Sequence, residues 1–219
     1  MKIFVVGSSK NKFLDLDPIR ERYIVDAHHD GMNIDKKNSR YCELTALYYL
    51  WANSHDDIVG LEHYRRYFVN SEGALLGETE IRKILETHDT IMFHHNTGCA
   101  EHDMKVTGKE DDLKLGYYVV GKMHGKDMRA FFEHECSTPG VYLGNMIICR
   151  KELLDEYCKW LFVTLACFDF LDKRKCPRID GYIAEYFLGP WMMFHQKKIY
   201  NCNRVVYERD LTHTLTGYV

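Results

Sequence analysis

A single α/β domain of Rossmann-like kind, with a mostly parallel central sheet flanked by helices, is the fold that this 219-residue sequence predicts. Three observations predict it. The chain opens on KIFVVG, a β-branched and aromatic run closed by Gly7-Ser8-Ser9, which suits a buried first strand entering a loop. Helical and strand-like patterns then alternate from residue 39 to residue 93, the rhythm of a layered α/β fold. Finally, residues 150–197 carry the longest helical periodicity and form a helical C-terminal part.

The elements follow in order. SRYCELTALYYLWAN, residues 39–53, places Tyr41, Leu44, Tyr48 and Trp51 at helical spacing, with Asn38 or Ser39 available as a cap. Residues 58–61 read as a second strand, which delivers the chain into GLEHYRRYF. A short helix over 80–86 and a strand over 90–93 come next. Residues 96–114 are polar, with Gly98 and Gly108 and no periodicity, and predict a loop. Helix is expected over 126–136, after which Pro139-Gly140 turns the chain into VYLGNMIICR, one buried strand. Residues 152–171 carry an apolar stripe of Leu154, Tyr157, Leu161, Leu165 and Phe168. A last helix is expected to begin near Pro177 and to end or kink at Gly189-Pro190, and IYNCNRVVY reads as a closing strand.

Composition narrows the function classes. A formal charge of −3 gives no field that would draw nucleic acid, so any anion site must be local. The eight cysteines form no Cys-x-x-Cys pair and several lie in apolar runs, which points to free thiols in a reducing cytoplasm. No apolar run is long enough to span a bilayer.

Three stretches together carry a resemblance: NSRYCELTALYYLWAN followed by VGLEHYRRYF, then YLGNMIICRKELLDEYCKWLF, then PRIDGYIAEYF. In order and spacing they resemble the bacterial capsular and exopolysaccharide glycosyltransferases catalogued as a domain of unknown function. The resemblance implies a single GT-A-like domain and a UDP-sugar donor, with UDP-galactose, including its galactofuranose form, as the natural donor. It also implies a glycan or lipid-linked glycan acceptor, with peripheral association at the inner face of the cell membrane. The chain departs from the pattern at DGMNIDKKN, at Glu62 and between Phe93 and Tyr118.

Such a transfer needs stabilisation of a departing diphosphate and a base for the acceptor hydroxyl. The literal metal motif Asp15-Leu16-Asp17 comes too early in the chain, and the expected position carries Glu62-His63-Tyr64-Arg65-Arg66 instead. Two guanidinium groups, Arg65 and Arg66, beside His63, are therefore read as holding the diphosphate. The rival is a manganese or magnesium ion held by Glu62 or His63, and the bland reading is a surface extension of the strand. Strict alternation would put His63 and Arg65 on one face, with Tyr64 and Arg66 on the other. Glu185 is the candidate base and Asp180 the reserve, in a helix where Arg178, Tyr182 and Glu185 share one face; a salt-bridged surface is the alternative. Gly144 and Asn145 are expected near the sugar or acceptor, along with Arg178 and Tyr182, unless they form only a turn. Tyr41 and Glu43 are candidate donor contacts at a helix start, where a carboxylate would otherwise cap. Gly7 and Ser8 are candidate uridine contacts on fold grounds alone. His94, His95, Cys99 and His102 fit no standard zinc spacing, and His28-His29-Asp30-Gly31 reads as a turn.

Overall fold

The structure is a computed structural model that describes residues 1–96, 98–208, 211 and 214–216. Strands β1 (Lys2–Gly7), β2 (Arg20–Ile24) and β3 (Ile58–His63) lie side by side and parallel, with β1 in the middle. Beyond β3 come β8 (Ile147–Arg150), then β5 (Thr90–Met92), then β9 (Ile199–Asn201). Only β8 runs against the others, so five of these six strands share one direction and the expected α/β architecture is present.

The first strand was legible because both of its faces are buried, which favours an unbroken apolar run. The strand β2 was not. Its sequence RERYI looks polar, yet Arg20 is buried because Glu62 on β3 meets it with two hydrogen bonds of 2.7 and 3.2 Å. A paired charge thus occupies a position that pattern reading assigns to solvent.

The HYRRY stretch is a tight hairpin rather than a straight extension. The strand β3 ends at His63, Tyr64 and Arg65 form the turn, and β4 (Arg66–Val69) starts at once, with His63 paired opposite Arg66. Directly opposed residues of an antiparallel pair share a face, so His63 and Arg66 are neighbours, against the expected alternation.

The expected closing strand is two strands: β9 pairs with β5 and β10 (Asn203–Tyr207) pairs with β4, with Cys202 between them. The hydrogen-bonded circuit β3-β8-β5-β9/β10-β4 thereby closes on itself around Phe68, Ile91, Phe93, Met146 and Ile148. A short strand β11 (Thr214–Thr216) extends the far edge.

The expected helix over 39–53 breaks into α1 (Asn38–Tyr41) and α2 (Leu44–Asn53), because Cys42 takes a positive φ of 50°. The predicted short helix is α3 (Glu78–Ile84). The expected loop over 96–114 is a correction: it holds α4 (Ala100–Val106) and the start of α5 (Glu110–His124). Within the expected loop their buried apolar residues are few, Ala100 and Met104 and then Leu113, before α5 goes on to bury Gly116, Tyr117, Val119 and Val120, and they were masked by the acidic and basic residues around them. Gly108 does punctuate the chain, at a φ of 69° between the two helices.

Helices α6 (Lys126–Ser137) and α7 (Lys151–Leu171) stand where the periodicity placed them. VYLGNMIICR, expected as one strand, divides into β7 (Val141–Tyr142), paired with β6 (His94–His95) in a small separate sheet, and β8. The last helix, α8 (Ile179–Phe194), runs on through Gly189-Pro190. Proline removes the donor to the carbonyl four residues earlier. That carbonyl, of Tyr186, accepts instead from the Cys136 thiol at 3.7 Å, while Gly189 leaves room for the Tyr142 ring.

Candidate functional site

Gly144 and Asn145, between β7 and β8, form a turn at the end of the sheet where β1 and β3 finish. Both have positive φ, 88° and 51°, a conformation that glycine adopts freely and asparagine tolerates. From this turn hydrogen bonds fan out to three elements. The Gly144 amide donates to Glu185 Oε1 on α8 at 2.5 Å, and its carbonyl accepts from His63 Nε2 at the end of β3 at 2.5 Å. Asn145 Nδ2 donates to Glu43 Oε1, in the break between α1 and α2, at 2.8 Å, and to the Gly181 carbonyl at 3.2 Å. Glu43 makes no side-chain cap for α2.

The electrostatics are unusual for a carboxylate. Burial, followed by the neighbouring Glu43 charge, raises the Glu185 pKa to about 7, against the pull of the Gly144 amide, Arg66 and Arg204. Burial holds His63 below its ordinary value, with Glu43 opposing and Arg66 reinforcing, so the neutral ring carries its proton on Nε2 toward the Gly144 carbonyl. The guanidinium groups of Arg65 and Arg66 are half-buried, and among the described residues neither has an ion-pair partner. Arg204 joins them from β10. Burial, then Arg66, lowers its pKa to about 10; its group lies 3.9 Å over the Phe93 ring, and its Nε is buried without a hydrogen bond. Arg65 and Arg66 act on Arg204 as like charges, Glu185 is the carboxylate that acts on Arg66 and Arg204, and none of the three cations has an ion-pair partner among the described residues, an arrangement that a further anionic ligand would relieve.

The structure thus brings together Glu43, His63, Arg65, Arg66, Gly144, Asn145 and Glu185, all expected from sequence, and adds Arg204. An arginine inside the apolar run NRVVY is the signal that could have found it. At the start of α8, Arg178 (φ 63°) lies 5.7 Å from the Tyr182 ring, and Lys109 approaches the same ring at 5.1 Å. Nothing in the sequence singled out Lys109.

Other expectations are corrected. Asp180 is fully buried and its Oδ2 accepts from Arg40 Nε at 2.6 Å, so it presents no surface to an acceptor; burial, against the pull of Arg40, raises its pKa to about 6. Tyr41 is 3% exposed, within the core, and offers no surface to a donor. Gly7 closes β1 next to Tyr64, but the Ser8 amide and hydroxyl both donate to Asn11 Oδ1, so these donors turn inward. Glu62 is fully buried and committed to Arg20 and to the Phe68 amide, so it is no metal ligand. His63 Nε2 is taken by the Gly144 carbonyl, and among the described residues no group of three or more His, Cys, Asp or Glu is placed to hold a metal ion.

The comparisons with known proteins bear on this geometry. No curated protein matches the chain. Its fold is similar to the apo structure of the WbbM bifunctional glycosyltransferase, with a TM-score of 0.78 and 20% identity over 97% of this chain. The chain spans 45% of that protein's length, and at this identity the likeness is one of fold. Residues 2–204 match the family described as a domain of unknown function (DUF4422), and the chain belongs to that family.

Proposed function

We propose that the chain is a nucleotide-sugar-dependent glycosyltransferase that moves a hexose from a UDP-sugar to a hydroxyl of a surface-polysaccharide intermediate. The observation that carries this reading is the meeting of Glu185, its pKa raised to about 7, with Arg65, Arg66 and Arg204, none of which has an ion-pair partner among the described residues. A carboxylate poised near neutrality suits a general base, and fixed guanidinium groups suit a departing diphosphate. The fold of a glycosyltransferase and a site at the carboxyl ends of parallel strands are consistent with it.

In this reading Glu185 takes the proton of the acceptor hydroxyl as its oxygen attacks the anomeric carbon. The bond from that carbon to the diphosphate oxygen breaks, and the charge arriving on the diphosphate meets Arg66, Arg204 and Arg65. Tyr182 and Arg178, one to two turns earlier on the same helix, face the sugar or the acceptor. The donor is UDP-linked galactose, its galactofuranose form included. The acceptor is carried on a lipid at the inner face of the cell membrane, and residues 1–219 act as one transferase domain. No helix among the described residues is long and apolar enough to cross a membrane, so contact with that surface is peripheral in this reading.

A second reading, a non-catalytic binder of nucleotide sugars or glycans, is favoured by one observation: no group of three or more His, Cys, Asp or Glu among the described residues is placed to hold a metal. Measuring UDP release from UDP-galactofuranose and UDP-galactose, with manganese, magnesium or chelator, separates the two. Turnover that survives chelation is expected, and tight UDP binding without turnover on any acceptor would favour the binder.

A further inference from the structure

One oxygen of the partly exposed Glu43 carboxylate is committed within the protein. Its Oε1 is taken by Asn145 Nδ2 at 2.8 Å, and Asn145 is also tied to the Gly181 carbonyl of α8 at 3.2 Å. Asn145 is 1% exposed and holds a positive φ that an ordinary residue resists. The preceding residue, Gly144, gives its amide to Glu185 and its carbonyl to His63. A short strut therefore runs from the break between α1 and α2, through the turn, to the carboxylate of α8, with His63 bracing it from β3. The break at Cys42, φ 50°, sets where Glu43 sits, since a continuous helix would carry Glu43 around its axis.

We propose that Glu43 is a positioning residue for Glu185, acting through the Gly144-Asn145 turn, and not a contact to the donor. The inference rests on the assignment of Glu185 as the base. Two effects act together: the tether fixes the turn whose amide holds Glu185, and the Glu43 charge disfavours ionisation of Glu185. The other groups that act on Glu185 are Arg66 on β4 and Arg204 on β10, both favouring its charged form, with His63 on β3 and Tyr186 on α8 close by.

The experiment follows the carboxyl resonance of Glu185 against pH in protein labelled with 13C-glutamate, assigned by its loss in Glu185→Gln. Glu43→Gln keeps an oxygen for Asn145 and removes the charge, so the Glu185 midpoint falls by on the order of one pH unit. Asn145→Gly keeps the positive φ and cuts the tether, so the Gly144 amide proton moves upfield and no longer follows the Glu185 titration. If both variants leave the Glu185 midpoint and the Gly144 amide unmoved while UDP affinity drops tenfold or more, Glu43 is a donor contact and the proposal is overturned. Neither readout needs turnover: a protein that releases no UDP from any sugar nucleotide yet shows both shifts would sink the assignment of the base and leave the strut standing.

Discussion

Glu185 keeps its proton up to about pH 7 in the folded chain, against about 4.5 for the unperturbed side chain. Between those values the folded state holds one proton more than the unfolded state, so the stability linked to this group falls as pH rises through that window. Glu185→Gln removes that slope, and denaturant titrations across the window are expected to show a flatter profile than the wild type. In the proposed reaction the same residue sets the sign for activity: kcat/KM is expected to rise as pH passes about 7, because a base must lose its proton. Glu185→Gln is expected to spare UDP binding and to abolish that ascending limb; an unchanged limb would remove Glu185 from the role. For the cations, Arg66→Ala or Arg65→Ala should weaken UDP binding by roughly 10- to 100-fold, the worth of one charge-assisted contact. Arg82→Ala, at an exposed pair with Asp57 and Glu78, is the control and should leave calorimetric affinity unchanged.

At the scale of elements, β2 pairs with β1 along its length, and one buried ion pair ties it to β3 as well. Arg20 and Glu62 are both fully buried at their side chains; Arg20 also donates to Asp17 and to the Leu76 carbonyl, and Glu62 also accepts from the Phe68 amide. Glu62→Gln leaves the buried Arg20 guanidinium with only the partly exposed Asp17 as a charge partner and is expected to destabilise by up to about 3 kcal/mol, read from urea unfolding. The double change Arg20→Met with Glu62→Leu should cost less, since it strands no charge. This pair explains why β2 was illegible: burial pattern is inferred from apolar residues, and here a charge is buried. The same reasoning applies at α4 and α5, where Met104 and Tyr117 are buried among many charges. In contrast α7, with its stripe of Leu154, Tyr157, Leu161, Leu165 and Phe168, could be placed from periodicity alone, because every one of those residues faces the core.

At the scale of the whole molecule, the closed circuit of strands brings Arg204, near the end of the matched region, against Arg66 and Phe93. A partly buried guanidinium whose Nε lacks a hydrogen bond and which has no ion pair among the described residues opposes folding, so ligand binding and stability should trade against each other here. Arg204→Met is expected to raise the melting temperature of the free protein while abolishing the further rise that UDP gives the wild type; a variant that melts lower and still responds to UDP would contradict this. What the sequence by itself determined is the α/β class, the first strand, the long helices, and the segments that carry the site: HYRR, LGN and the face of Tyr182 and Glu185. Those follow from periodicity and residue chemistry, which are local. Only the tertiary structure decided that HYRRY turns back as a hairpin, that Asp180 and Glu62 hold arginines within the protein, and that Glu43, Gly144, Glu185 and Arg204 meet. The reason is physical: a charge buried against a partner 42 or 140 residues away leaves no periodic trace, because its partner is chosen by the packing of the sheet and not by its neighbours in the chain.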